Sequence, residues 1–174
     1  VDSVDEFLET IVEQNGRPFY RYGKALRPVT AKKITLAYRQ PDGSMAERSF
    51  TSYATHHGPI VRAEGDKWVA MALMNTPVPA LEQSFLRTKA TDFASYMKVM
   101  ALKANSSNNT IFADDKGEIA YLHPQFVPKR DNRFDYTKAV DGSDPATDWQ
   151  GPHALSELPQ LVPPANGWIA NPNN

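Results

Sequence analysis

From Arg17 to Met74 the chain alternates short apolar runs with clusters of turn residues. In KITLAYR, Ile34, Leu36 and Tyr38 fall on one side and Thr35, Ala37 and Arg39 on the other, the period of two of a half-buried strand. FYRY, the run from Phe50 to His56, GPIVRA and WVAMALM continue the pattern, with PDG at Pro41 to Gly43 and EGDK at Glu64 to Lys67 as turns. Residues 1–74 are therefore predicted to be a strand-rich antiparallel meander. The period then lengthens. Thr91 and Asp92 can cap a helix whose one face carries Phe93, Met97, Met100, Ala101 and Ala104, and a shorter helix fits Ala80 to Arg87, so 75–105 reads as helical. Residues 106–123 read as a hairpin: NTIFA, a DDKG turn with Gly117 free to take positive φ, and EIAYLH. Eight of the 14 prolines lie in residues 124–174, a tail expected to lie across the sheet or to be ordered by a partner. The segment DSVDEFLETIVEQNG is ambiguous. Val4, Phe7, Leu8, Ile11 and Val12 fit a helix face, while Phe7, Glu9 and Ile11 fit a strand, and periodicity alone favours helix. The class predicted is α+β with a mainly antiparallel sheet.

Length and charge narrow the partners. At 174 residues one compact unit is expected. Lys and Arg total 19 against 20 Asp and Glu, so no net field favours phosphate backbones, and nucleic acid is not an expected partner. Without cysteine there is no disulfide, thiolate nucleophile or Cys-based zinc site. The longest apolar run, residues 68–74, is far short of the roughly 20 residues that span a bilayer, so no membrane partner is expected. No organic cofactor is expected either.

The familiar hydrolase signatures are missing: there is no G-x-S-x-G elbow, G-x-G-x-x-G or P-loop. The adjacent pair His56 and His57, read as part of a strand, would point to opposite faces, and no H-E-x-x-H is present, so each histidine is read as structural. Asn108 and Asn109 remain, just before the hairpin. An amide held rigidly by a sheet can donate to a developing oxyanion. It can also do no more than cap the helix that ends near Ala104, the reading that composition alone favours.

One run of residues weighs between these. NTIFADDKGEIAY, which begins at Asn109, has the form Asn-x-x-Phe/Tyr-Ala-Asp-x-x-Gly-x-Ile-x-Tyr, which resembles the penicillin amidase family of N-terminal nucleophile hydrolases. VPKR at 127–130, VDGSDPATDWQG at 140–151, ELPQLVPPANGWIANPNN at 157–174, HGPIV at 57–61 and DSVDEFLE near the start resemble it too, in family order. The resemblance implies an αββα sandwich and an amidohydrolase acting on linear amides. Its nucleophile is the N-terminal serine of a chain released by self-cleavage, and the serine's own α-amino group acts as base. Counting four residues back from Ala113 makes Asn109 the oxyanion donor and Asn108 a neighbour. The resemblance further implies that Arg130 supports the active site and that Asp2, Val4 and Asp5 contribute to a calcium site, the carboxylates and a backbone carbonyl suiting a hard cation. It also implies a strand for DSVDEFLE, and a periplasmic or secreted protein.

Val1 is not Ser, Thr or Cys, so the resemblance implies an internal fragment of an acylase β chain, inactive alone, whose partners are the rest of that chain, the α chain and a small acylated amine. Uncovered strands leave self-association open. Two other readings stand beside it: a non-catalytic β-rich binding or scaffolding module, and an unrelated hydrolase that uses His57 with a serine.

Overall fold

The computed structural model describes residues 3–104 and 108–171. Its strands are β1 (Val4–Glu9), β2 (Ile11–Gln14), β3 (Arg17–Tyr22), β4 (Ala25–Pro28), β5 (Thr30–Arg39), β6 (Met45–Ala54), β7 (Ile60–Glu64), β8 (Lys67–Leu73), β9 (Thr110–Ala113), β10 (Ile119–Leu122), β11 (Val140–Asp141) and β12 (Gln160–Leu161). The helices are α1 (Pro77–Leu86) and α2 (Phe93–Met100). The protein is thus mixed α+β with mostly antiparallel sheets; β1 with β11 is a parallel pair. No helix among the described residues is long and apolar enough to cross a membrane.

The chain divides into two compact units, not the single one expected from length. One comprises residues 4–73 and 130–148. Its main sheet runs β11-β1-β8-β7, beside a three-stranded sheet β2-β3-β4 and the hairpin β5-β6. The predicted strands are present, but they form separate sheets instead of one meander.

Within DSVDEFLE, Val4–Glu9 is a strand, as the resemblance implied. In β1 the side chains of Asp5, Phe7 and Glu9 are all buried, so two carboxylates flank a phenylalanine on one covered face. Carboxylates are tolerated there only when paired, and that requirement organises the unit around them. The β5-β6 hairpin departs from expectation in another way. Its alternation holds, yet Leu36 and Tyr38 are 53% and 50% exposed, so the face predicted to be half-buried is uncovered within this chain.

The other unit comprises residues 1–3, 74–129 and 149–174. Asp92 caps α2 reciprocally: its Oδ1 accepts from Ser95 N at 2.7 Å, and Ser95 Oγ accepts from Asp92 N at 3.1 Å. Gln83 of α1, buried, accepts from Ala104 N at 2.7 Å and ties the two helical segments together. Phe93 and Tyr96 pack against Phe112, each with ring centroids 5.1 Å apart, so α2 backs the β9-β10 hairpin. The turn closes on Asp114, whose Oδ1 accepts from Lys116 N and Glu118 N, both at 2.9 Å, with Gly117 at φ +84°. Part of the Pro-rich tail returns as β12, which pairs with β10.

Candidate active site and its neighbours

Asn109 stands one residue before β9, half-buried, on the hairpin that α2 supports. Gln125 Nε2 donates to its Oδ1 at 3.0 Å, and its own Nδ2 donates to Asn171 Oδ1 at 3.2 Å. Gln125 is only 8% exposed, so the side chain that meets the Asn109 amide is itself packed in place. An amide nitrogen carries two hydrogens. Asn171 takes one, and among the described residues the other is available to an acceptor brought to the same side.

The register matters. Asn108 and Thr110 line a cavity of about 340 Å³ together with Met74, Gln83, Arg87 and Met100, whereas Asn109 is not among its walls. Neighbouring residues of an extended chain face opposite ways, and here the two asparagines serve different surroundings. Gln125 and Asn171 were not singled out by the sequence reasoning. Gln125 lies between the hairpin and VPKR, and no local pattern marks it as a partner of a residue sixteen positions earlier.

Arg130 belongs to the other unit, where it pairs with Asp5: Nε donates to Oδ2 at 2.6 Å and Nη2 to Oδ1 at 3.1 Å. The side chains are 11% and 2% exposed, so this is a buried two-point ion pair. It bears on the calcium expectation. Calcium takes six to eight oxygens, and both carboxylate oxygens of Asp5 already accept from a guanidinium. Each of those oxygens keeps a further lone pair, and Asp2, expected at the calcium site with Val4 and Asp5, lies outside the described residues.

Glu9, at the other end of the same strand face, meets the histidine pair. His56 and His57 are not in a strand. They occupy the turn between β6 and β7, where their rings lie 3.9 Å apart, and both converge on Asp148 instead of pointing to opposite faces. His57 Nδ1 lies 2.8 Å from Glu9 Oε1 and its Nε2 lies 2.9 Å from Asp148 Oδ1. Thr55 Oγ1 donates to Glu9 Oε1 at 2.6 Å, and the His57 ring stacks on Phe7 with centroids 3.9 Å apart. Burial, and then the neighbouring His57 ring, hold His56 below the ordinary imidazole range. Burial pushes the Asp148 carboxyl up, but hydrogen bonds from Tyr22 and His57 outweigh it and leave it below the usual carboxylate range. Gly58 permits the turn: it has φ +147°, and a Cβ there would meet the carbonyl oxygen of Met71 at 2.1 Å. Glu9 and Asp148 both lie inside the segments quoted for the family resemblance, but nothing in the sequence says that they meet.

Comparison with known proteins gives one consistent answer. The sequence model of the penicillin amidase family, described as Penicillin amidase, matches residues 1–174. The chain is 26% identical over 178 residues to penicillin G acylase of Escherichia coli, covering 99% of this chain and 20% of that protein. It is 27% identical over 208 residues to the acyl-homoserine lactone acylase PvdQ of Pseudomonas fluorescens strain Pf0-1, covering 99% of this chain and 27% of that protein. Among solved structures, the thermostable penicillin G acylase from Alcaligenes faecalis superposes with a TM-score of 0.82 at 23% identity, over 100% of this chain and 31% of that one, a likeness of fold. The chain therefore spans between a fifth and a third of the length of these relatives.

Proposed function

The chain belongs to the penicillin amidase family, and on that premise we propose that the protein carrying it hydrolyses the amide bond of a linear N-acylated amine, with Asn109 as a donor to the tetrahedral oxyanion. The names of its relatives, penicillin acylases and acyl-homoserine lactone acylases, support this substrate class. The observation that carries the reading is the locked amide. Gln125 holds the carbonyl end of Asn109, so its NH₂ faces away from Gln125 and keeps a hydrogen beyond the one given to Asn171.

In this mechanism the nucleophile is the N-terminal serine, threonine or cysteine of a self-processed chain and stands outside these 174 residues. Its hydroxyl or thiol adds to the amide carbonyl, passing its proton to the chain's own α-amino group. Negative charge collects on the carbonyl oxygen, and Asn109 Nδ2 donates to it there. A prealigned donor in a sheltered site needs no reorganisation at the moment of reaction, which is why one such group is typically worth about 10² to 10³ in kcat. Collapse expels the amine, which takes the proton back, and water releases the acid. Arg130, held by Asp5, is proposed to support the site, and export to the periplasm or medium is part of the same reading.

The test is a pair of substitutions in the complete protein. Asn109→Ala should lower kcat by about 10² to 10³, while Asn108→Ala should change it little. Small and equal effects at both positions would remove Asn109 from the mechanism.

A further inference from the structure

The cluster around His56 and His57 has no part in amide hydrolysis as proposed, and its hydrogen bonds have an order that points elsewhere. Each of three side chains is tied at its far atom. His57 Nδ1 is held by Glu9 at 2.8 Å, His56 Nδ1 by the Tyr20 hydroxyl at 3.1 Å, and Asp148 Oδ2 by the hydroxyl of Tyr22. The near atoms converge: His57 Nε2 and His56 Nε2 lie 2.9 and 3.5 Å from Asp148 Oδ1, and one donor atom from each of the three residues falls within 4.8 Å of the others.

A histidine whose Nδ1–H is given to a carboxylate presents Nε2 as a lone pair, which is the usual arrangement behind a metal-bound imidazole. In the tautomers that turn both Nε2 atoms into lone pairs, they and the carboxylate oxygen repel unless a positive charge sits among them. A proton on His57 Nε2 is one such charge and a cation is the other. Two carboxylates face the cluster. Glu9 is fully buried, with Oε2 unpartnered among the described residues, and Asp148 is a second carboxylate. One imidazolium offsets one of them, whereas a divalent ion offsets both. Arg27, stacked over the Tyr22 ring at 3.6 Å, is the nearby fixed cation.

Ligand atoms about 2.0 to 2.2 Å from a tetrahedral zinc ion stand roughly 3.3 to 3.6 Å apart; the 3.5 Å from His56 Nε2 to Asp148 Oδ1 matches that spacing, and the 2.9 Å from His57 Nε2 has to widen slightly to admit the ion. Two imidazoles and one carboxylate suit zinc and its neighbours better than calcium or magnesium. The side chains of His56 and Asp148 are 29% and 30% exposed, which leaves one side open for entry and for a water as fourth ligand.

We propose that His56, His57 and Asp148 bind a divalent transition metal ion of the zinc type, which fastens the β6–β7 turn to the segment around Asp148. The site does not depend on the amidase reading, and its test reads metal binding, not activity. The complete protein, free of any polyhistidine tag and stripped with chelator, is titrated with Co²⁺ and then Zn²⁺, following the visible absorption of tetrahedral cobalt and the melting temperature. The expected result is one equivalent of Co²⁺ with tetrahedral bands, bleached by one equivalent of Zn²⁺, and a higher melting temperature with either metal. His56→Ala, at a part-exposed position, should fold and lose both effects. Absence of bands and of any thermal shift in the unsubstituted protein would overturn the proposal and assign the position to a proton. Bands that survive in both His56→Ala and Asp148→Asn would overturn it equally, by placing the metal elsewhere.

Discussion

Replacing Gln125 by leucine isolates what the locked amide contributes to catalysis. The substitution keeps most of the buried volume and removes one donor, the Nε2–H that Asn109 Oδ1 accepts at 3.0 Å. A neutral hydrogen bond of this kind is worth about 0.5 to 1.5 kcal/mol net. Without it the Asn109 amide can turn over and offer its carbonyl, not its NH₂, to the oxyanion. If both orientations became equally populated, half the molecules would be competent, and the loss of alignment adds to that. At about 1.4 kcal/mol per factor of ten, kcat should fall about 2- to 12-fold. That is well short of the loss expected when Asn109 itself is removed. KM should stay nearly constant, because the donor acts on charge that develops only in the transition state. The assay is steady-state hydrolysis of a chromogenic acyl anilide by the complete protein, with Gln125→Leu, Asn109→Ala and the double variant compared. Once Asn109 is alanine, Gln125→Leu should cost nothing further in kcat. An equal loss in that background would refute the positioning role and leave Gln125 as a packing residue.

Three further outcomes follow from the structure. Gly58→Ala should destabilise the protein by at least about 2 kcal/mol in denaturant unfolding, since its Cβ would fall 2.1 Å from the Met71 carbonyl oxygen at φ +147°; an unchanged midpoint would contradict this. Asp5→Ala, which withdraws a buried carboxylate bonded at two points to a largely covered arginine, should cost about 3 to 5 kcal/mol, while the joint replacement of Asp5 and Arg130 by apolar residues should cost less than the sum of the two single changes. Hydrogen bonds from Ser95, side chain and backbone, hold the Asp92 carboxyl below the usual range. Its contribution is present above the unfolded aspartate pKa of about 3.9 and is lost as pH falls through the lower folded value. The drop in melting temperature caused by Asp92→Ala should therefore shrink on acidification, and a pH-independent drop would contradict the cap.

Local pattern carried much of this fold. The hairpin with Gly117, the capped helix at Asp92 and the strand alternation from Arg17 to Leu73 were all legible, because each is decided by neighbours in sequence. The β1 strand was harder. Two carboxylates occupy its covered face, so counting apolar positions favoured a helix, and only the resemblance restored the strand. The buried Glu9 makes sense only beside His57, forty-eight residues away, and Asp148 is farther still. The histidine pair was misread because Gly58 bends the chain where alternation suggested a strand to His56, so side chains expected to diverge converge. Likewise the choice of Asn109 over Asn108 came from the family motif, whereas Gln125, which sets the orientation of that amide, left no mark in the local sequence.

The most direct measurement is intact mass with N-terminal sequencing of the protein purified from its complete gene, followed by assay of the product on an acyl anilide. The account predicts two chains, the one containing these 174 residues beginning with serine, threonine or cysteine upstream of Val1, and hydrolysis that is lost when that residue is replaced. A single unprocessed chain with no turnover would contradict it.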